Sequence, residues 1–474
     1  MSFAPSQLLR PFLPAPANGR WAGKRDEILT TADRIWAGVD EKAIDQRSSL
    51  LAFAIRVFSA IIAFVSQVLL ARWMGSFEYG VYVWIWVAVV IVGSLSCFGF
   101  PAAIVRFIPQ YRQSGEVEKL RGVIRASRLF ALASSTLLAV LGLAGLWLLG
   151  DNVGTVYVWP FFLAAICLPM LALMEIQGGI ARAFSWIVTA LAPMFVVRPV
   201  LILLFFLMAI LFGFQPSAGI AMGATIIAVW LTTLFQLLVL APKISRTVPD
   251  GDHHYDTRLW FKVALPIFLI EGFLALLVNV DILIAGLYLS PERVAIYFAT
   301  VKTLAIVHFV YFAVKAASAP RIAQYFHAGD KAKYQSFIQD TVQWTFWPSV
   351  VVGIAILIVG KFLLSLFGPE FVEGHDLLAI LVLGIVARAS VGPAESVLTM
   401  SGKQNACAMI YGSTLLINIV LNLILIPKFG LYGAASATTF ALFCEAAALF
   451  IAAKKLLGIH LFVLSSRAKT REQH

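Results

Sequence analysis

The sequence is poor in charge and in cysteine. Only 13% of its 474 residues are charged, whereas 60% are hydrophobic, and the mean hydropathy is +0.88. A soluble domain has about a quarter of its residues charged, so this composition excludes a soluble globular protein and indicates an integral membrane protein. The four cysteines lie in apolar runs without metal-ligand spacing, which predicts neither a disulfide framework nor a metal site.

Several catalytic motifs are also missing from the sequence. It contains no Gly-rich loop ending in Gly-Lys-Ser or Gly-Lys-Thr, no His-Glu-x-x-His pair and no Gly-x-Ser-x-Gly turn. These absences argue against an ATP phosphate cradle, a zinc protease and a serine hydrolase. We therefore predict a protein that is not an enzyme and has no cofactor, and that uses an ion gradient or the substrate gradient as its energy source.

Long apolar runs dominate what is present. Twelve runs approach the length of about 20 residues that a membrane-spanning helix needs. They lie at about 50–71, 81–100, 129–150, 156–176, 187–213, 218–241, 262–288, 293–315, 342–367, 377–400, 406–426 and 431–453. No cleavable signal peptide is predicted, because the first long run begins only near Leu50. The expected fold is an all-α polytopic membrane protein with twelve transmembrane helices.

The sequence repeats itself at one fixed offset. Residues 108–119 resemble residues 322–333, an offset of 322 − 108 = 214 positions, and windows beginning at Leu69 and Gly219 recur at the same offset. Six spans on either side of one central loop predict two parallel six-helix repeats around a central cavity. The predicted parts are an N-terminal tail (1–49), a first bundle (50–241), a linker (242–261), a second bundle (262–457) and a C-terminal tail (458–474).

The distribution of Lys and Arg predicts the orientation in the membrane. With the N-terminus inside, 28 of the 36 basic residues fall in the tails and inner loops and only four in outer loops or their borders. Positive charge accumulates on the cytoplasmic side of membrane proteins, so both termini and the linker are predicted to be cytoplasmic. The net charge of +11 is thus assigned to topology and contact with membrane lipids, not to nucleic acid.

Four basic residues remain inside the predicted spans: Arg56, Arg198, Lys302 and Arg388. Ionisable groups at such depth are costly and usually face a cavity or a partner. We interpret all four as lining a cavity for an anionic headgroup, with Arg56 at its entrance, since a guanidinium matches the oxygens of a diphosphate. The alternative is structural pairing, of Arg388 with Glu395 and of Lys302 with Glu271, and Arg56 is near enough to the membrane edge to snorkel.

Two intramembrane carboxylates, Glu271 and Asp281, share the first helix of the second half. A desolvated carboxylate binds a proton or pairs with a cation, so both are candidates for coupling transport to protons or Na⁺. Fixation by a neighbouring helix is the structural alternative.

Particular motifs carry a family resemblance. Ala71-Arg-Trp-Met-Gly-Ser-Phe-Glu-Tyr-Gly-Val-Tyr82 joins spans one and two, and Asn418-Ile-Val-Leu-Asn-Leu-Ile-Leu-Ile-Pro-Lys-Phe-Gly-Leu-Tyr-Gly-Ala-Ala435 joins the last two. With Asp281 and Tyr297, Pro320-Arg-Ile-Ala323 and Gly329-Asp330, they resemble the polysaccharide-exporter branch of the multidrug/oligosaccharidyl-lipid/polysaccharide (MOP) flippase superfamily. The likeness covers residues 48–457.

The resemblance implies a function in polysaccharide assembly. Members of that branch flip undecaprenyl-diphosphate-linked oligosaccharides across the bacterial inner membrane by alternating access, and some have basic cavity residues for the diphosphate. The expected substrate is an O-antigen (lipopolysaccharide) or exopolysaccharide repeat unit, with polysaccharide polymerase machinery as a candidate partner. A multidrug exporter of the same superfamily is the first alternative. A membrane polymerase or ligase is the second, which the short predicted outer loops disfavour.

Overall fold

The computed structural model describes residues 41–149, 154–328 and 331–463, and within these ranges the regular structure is entirely helical. We call the helices before residue 248 the first helix group: α1 Glu41–Ser96, α2 Phe100–Ser114, α3 Val117–Leu149, α4 Thr155–Ala183, α5 Ile187–Ala192, α6 Arg198–Leu211 and α7 Ala218–Thr247. The second helix group comprises α8 Thr257–Tyr288, α9 Pro291–Ala328, α10 Lys331–Ser365, α11 His375–Ala389, α12 Ala394–Met400, α13 Gln404–Phe429 and α14 Leu431–Leu457. A π-helical turn at Pro193–Val197 joins α5 to α6, and a 3-10 helix at Pro369–Gly374 precedes α11.

The described residues contain ten helical segments that are long and apolar enough to cross a membrane. The first, Ile55–Ser114, is 60 residues long. It contains a non-helical residue at Gly75, where the sequence predicted the loop between spans one and two. The all-α polytopic fold is therefore confirmed, and the total of twelve spans stays a prediction.

One predicted span is interrupted. The apolar run at 377–400 forms α11 and α12, which are separated by Ser390–Pro393. Pro393 has no N–H to continue a helical hydrogen-bond ladder, and Gly392 has a φ of 56°, so α11 ends there. The carbonyl of Gly392 in the break accepts from the Ala394 N–H at 2.9 Å and from Nη1 of Arg388 at 3.0 Å.

The structure describes parts of both predicted tails. Of the tail predicted at 1–49, residues 41–49 belong to the described part of α1, and residues 1–40 lie outside the described part of the chain. After α14 the chain folds back, and the Val463 N–H donates to the carbonyl of Ser390 at 3.0 Å. Ile459, Leu461 and Val463 are buried against the second helix group, so the described part of the predicted C-terminal tail is packed.

The two helix groups meet along a few helices. Within the first group, α4 packs against α1, α2, α3 and α7; in the second, α14 packs against α11 and α13. Between the groups, α1 contacts α8 and α9, and α2 contacts α8. The largest hydrophobic core cluster includes residues of both groups, and it surrounds the cavity described next.

Candidate functional site

A cavity of about 410 Å³ lies where the two helix groups meet. Helices α1, α8 and α9 and the segment from the π-turn into α6 supply its walls. The lining residues are Ala60, Ala63, Phe64, Ser66, Gln67, Leu70, Tyr82, Trp86, Val87, Val90, Phe195, Arg198, Pro199, Ile202, Asn279, Phe298, Lys302, Ala305 and Ile306. The lining thus contains two cations, one from each helix group, and no Asp or Glu.

Arg198 reaches the cavity from a deformed helix. Its backbone N–H donates to the carbonyl of Pro193, five residues earlier, which defines the π-turn. The additional residue in that turn rotates the following side chains by about 100° relative to a regular helix of 3.6 residues per turn. The guanidinium Cζ then lies 5.3 Å from the centre of the Trp86 ring, and its Nε is buried without a hydrogen-bond partner.

Lys302 enters the same cavity from α9 in the second helix group. Its Nζ is 4.7 Å from the centre of the Phe298 ring, one helical turn earlier. Among the described residues, neither Lys302 nor Arg198 forms a salt bridge, and the pairing of Lys302 with Glu271 that the sequence left open is not found. Both cations are therefore held by aromatic faces and face a cavity without a carboxylate.

Arg56 lies beside the cavity, not in its wall. Its side chain is exposed, and its Cζ is 4.6 Å from the ring centre of Phe195, a lining residue. The arginine is thus close to the cavity edge, where the sequence placed an entrance residue.

Arg388 lies outside this cavity, in a buried group of charges that we call the ionic cluster. Its Nε donates to Glu445, its Nη2 donates to the Tyr311 hydroxyl at 3.1 Å, and its Nη2 is 3.8 Å from Glu395. The pairing with Glu395 that the sequence offered as an alternative is therefore present. Lys315 and the Tyr411 hydroxyl also donate to Glu395, so this cluster of two cations and two carboxylates compensates its own charge.

Hydrogen bonds join the two helix groups at one end of the cavity, which we call the seal. There Arg72 of α1 donates to the carbonyls of Leu366 at 2.7 Å and Ser365 at 2.8 Å. The Trp84 indole N–H donates to the carbonyl of Leu283 at 3.0 Å, again across the two helix groups. Near these bonds the Tyr79 ring packs edge-on against the rings of Phe298 and Phe371, which adds to the contact between the two groups at this end.

Toward the opposite end the cavity walls are exposed. Ala60 and Ala63 on α1 and Ala305 and Ile306 on α9 all line the cavity and are solvent-accessible in the isolated chain. The accessible part of the cavity wall therefore lies on these segments of α1 and α9, on the side away from the seal.

Asp281 occupies a separate polar site inside the second helix group. Its carboxylate accepts hydrogen bonds from the Tyr297 hydroxyl at 2.7 Å, the Thr438 hydroxyl at 3.2 Å and the Ile282 N–H at 2.9 Å. Asn418 and Asn422 on α13 continue this network, and Oδ1 of Asn422 is buried without a hydrogen-bond partner. A carboxylate, a hydroxyl and amide oxygens gathered in one place are the ligands that hard cations prefer.

Glu271 is placed differently. It is exposed on α8 and lines a small depression with Ser94 and Glu175 of the first helix group. It is therefore near the boundary between the groups and apart from the network of Asp281.

Sequence reasoning missed several polar and aromatic cavity residues. Gln67, Asn279, Tyr82 and Trp86 line the cavity, and the Tyr79 hydroxyl donates to Gln67 at 2.9 Å. A signal for two of them was available, since amide side chains within apolar runs are costly in lipid unless they face a polar space. The aromatic residues carried no such signal, because aromatic side chains are ordinary in membrane spans.

Comparison with known families identifies the class of protein. The profile of the polysaccharide biosynthesis protein family matches residues 47–326, and the MatE profile matches residues 266–424. The chain therefore belongs to the polysaccharide biosynthesis protein family, which confirms the resemblance to the MOP superfamily. A search among curated proteins found no match.

Solved structures of membrane transporters share the fold. An inward-facing multidrug resistance MATE family transporter of the MOP superfamily has a TM-score of 0.68 at 13% identity, over 86% of this chain and 98% of the transporter. The lipid II flippase MurJ, in an inward closed conformation, has a TM-score of 0.67 at 16% identity, over 85% and 87% of the two chains. A MOP superfamily transporter from Pyrococcus furiosus, whose binding pocket is described as reversed in polarity, has a TM-score of 0.59 at 14% identity, over 90% and 97%.

Proposed function

We propose that the protein is a flippase that moves an undecaprenyl-diphosphate-linked oligosaccharide, an O-antigen or exopolysaccharide repeat unit, across the bacterial inner membrane. The observation that carries this proposal is that Arg198 and Lys302 share one cavity whose lining includes no carboxylate. Cations without carboxylate partners favour an anionic ligand, and the forked donors of a guanidinium match phosphate oxygens. The family match and the fold shared with a lipid II flippase support the same class of substrate.

The position of the accessible part of the cavity wall suggests how the substrate enters. The predicted orientation puts the seal outside and the accessible segments of α1 and α9 toward the cytoplasm. The diphosphate and sugar would enter there, past Arg56, while the polyprenyl chain stays in the bilayer. Separation of the two helix groups at the seal, with closure at the other end, then releases the headgroup outward.

Ion coupling is assigned to the second helix group. We propose that Asp281, with oxygen atoms of Thr438, Asn418 and Asn422, binds Na⁺ or, in a protonated state, a proton. The unpartnered Oδ1 of Asn422 supports a cation, because a buried acceptor without a donor is costly. Glu271 is the second coupling candidate, on account of its position between the groups.

A multidrug exporter is the competing function, and the MatE match favours it. Cationic drugs favour acidic cavities, whereas the lining of this cavity presents two cations and no carboxylate. The charge of the lining therefore supports the flippase. Rescue of surface polysaccharide in a flippase-deficient strain, measured beside drug efflux from the same cells, separates the two functions.

The cavity assignment is tested by removing its charges one at a time. We expect Arg198→Gln and Lys302→Gln each to reduce translocation roughly tenfold to a hundredfold, because a hydrogen bond to a charged group contributes about 1.5–3 kcal/mol. Lipid-linked single repeat units should accumulate on the inner face of the membrane, with the amount of inserted protein unchanged. Lys262→Gln, which removes an exposed cation of α8, is the matched control and should leave translocation intact. Unimpaired flipping in both cavity variants would refute the assignment.

A further inference from the structure

We infer that a second pocket, at the linker end of the first helix group, binds the phosphate headgroup of an anionic phospholipid. This linker pocket has a volume of about 420 Å³ and lies between the N-terminal part of α3, the C-terminal part of α7 and the linker after α7. It shares no lining residue with the transport cavity.

The linker forms a fixed wall of this pocket. Arg121 of α3 donates from Nε to the carbonyl of Asp252 at 2.7 Å and from Nη1 to the carbonyl of Pro249 at 2.6 Å. One turn away, the His254 N–H donates to the carbonyl of Glu118 at 3.1 Å. These three long-range hydrogen bonds hold the linker across the end of α3, so the linker wall of the pocket is fixed by the fold.

The lining of the pocket has an excess of positive charge. Three arginines of α3 (Arg121, Arg125 and Arg128) line it, and Asp250 is the one carboxylate among its lining residues. Arg121 already donates to neutral carbonyls, which leaves its charge uncompensated. Among the described residues, neither Arg125 nor Arg128 forms a salt bridge.

Arg128 gives the sharpest indication of a ligand. Its Nε and Nη2 are buried and have no hydrogen-bond partner in the described part of the chain. A buried donor left without an acceptor costs about 1–3 kcal/mol, and more when it is charged. An oxyanion in the pocket would accept from both nitrogen atoms, since a guanidinium presents its donors in a planar fork.

The apolar surroundings distinguish a lipid from a free anion. Leu129 lines the pocket and is 55% exposed, and Leu238, one turn further into the membrane on α7, is 74% exposed. From Arg125, exposed residues continue along α3 through Leu129, Ala133 and Leu137, at four-residue spacing. A phosphate held by the arginines would therefore have its acyl chains against two apolar helix faces, as in the basic pockets between helices that bind anionic lipids.

The test measures lipid binding to the full chain in detergent. Added phosphatidylglycerol should raise the melting temperature of the wild-type protein and remain bound in native mass spectrometry, whereas phosphatidylcholine and inorganic phosphate should not. Arg128→Gln, and the exposed variant Arg125→Gln, should weaken phosphatidylglycerol binding at least about tenfold, since each loses a charge-assisted bond. Arg106→Gln, which removes an exposed arginine of α2 outside the pocket, should bind like the wild type.

Each alternative result overturns the inference. Equal stabilisation by inorganic phosphate would make this a free-anion site, and equal binding of phosphatidylcholine would remove the role of headgroup charge. If Arg128→Gln does not fold, lipid binding to Arg125→Gln and to the charge-conserving Arg128→Lys decides the test. Wild-type affinity for phosphatidylglycerol in Arg125→Gln, together with loss of that affinity in Arg106→Gln, would place the lipid elsewhere.

Discussion

The two helix groups share one plan but differ in what they bury. Helix α4 begins at Thr155 where the 3-10 helix of the second group begins at Pro369, and α7 begins at Ala218 where α14 begins at Leu431. These starts therefore recur within one residue of the offset found in the sequence. The buried charges do not recur. The residues 214 positions before Arg388, Glu395, Glu445 and Lys315 are Met174, Ala181, Leu231 and Pro101.

This difference shows that the charges of the ionic cluster are not required for the packing of a helix group. The first helix group has uncharged, apolar residues at these positions, of which Met174 and Ala181 are buried, so the ionic cluster is not needed for the architecture. Buried ion pairs are also weak contributors to net stability, because the desolvation of both charges offsets their attraction. The ionic cluster is therefore found in the second group alone of the two. Likewise, the second group has the carboxylate of Asp281 where the first has the neutral amide of Gln67.

Removal of Arg388 should give the largest effect. Arg388→Leu leaves Glu445 buried without its cation, so we expect the free energy of unfolding to fall by about 3–5 kcal/mol. The matched change in the first group, Met174→Leu, should cost less than about 1.5 kcal/mol because volume and polarity are conserved. Reversible unfolding in mixed micelles measures both values.

The double variant Arg388→Leu with Glu445→Leu sharpens this test. Removing both partners should recover part of the lost stability, because no uncompensated charge of that pair remains. Unchanged stability in Arg388→Leu, accompanied by loss of translocation, would instead support the substrate-binding role that the sequence predicted for this arginine.

The difference between Asp281 and Gln67 should affect the binding of Na⁺. Na⁺ at about 100 times its dissociation constant stabilises a folded protein by about 2.7 kcal/mol, so NaCl should raise the melting temperature of the wild type above its value in KCl. Asp281→Asn should abolish this difference, whereas Gln67→Asn in the first group should retain it. A sodium response that survives in Asp281→Asn would contradict the assignment, and a response to pH alone would favour protons.

The smallest expected effect concerns two glycines at equivalent positions. A Cβ added at Gly433 would lie 2.3 Å from the backbone carbonyl oxygen of Leu425, so Gly433→Ala should cost about 1–3 kcal/mol through overpacking. At Gly219 the nearest atom is Cδ1 of Trp159, at 2.9 Å, and that side chain is 59% exposed and free to move. Gly219→Ala should therefore change the melting temperature little, and a larger loss there than at Gly433 would reverse the comparison.

Much of the fold was readable from the sequence. Long apolar runs predicted the helices, because a lipid-exposed backbone must satisfy its own hydrogen bonds. The sequence did not predict the break in the helix at Ser390–Pro393, although Pro393 lies within it. Mean hydropathy over a long window does not change at such a short break. The helix that contains Pro199 is deformed by a π-turn that begins six residues earlier, at Pro193, and hydropathy carries no signal for the additional residue of that turn.

The site could be predicted only in part from the sequence, because the partners of a side chain often lie far away in the chain. The spacing on one helix offered Glu395 as a partner for Arg388, but the carboxylate that accepts from its Nε, Glu445, is 57 residues away in the chain. Depth in the membrane singled out Arg198, Lys302 and Arg388 equally. Only the packing of helices separates the two that face a cavity from the one that faces carboxylates.

The close approach of two backbones at the seal has a mechanical consequence. A Cβ on Gly80 would lie 1.9 Å from the carbonyl oxygen of Pro291, so main chain presses on main chain there, with no side chain between them. No rotamer change can open such a junction. Under the proposed mechanism, the headgroup leaves at this end only when whole helices move apart.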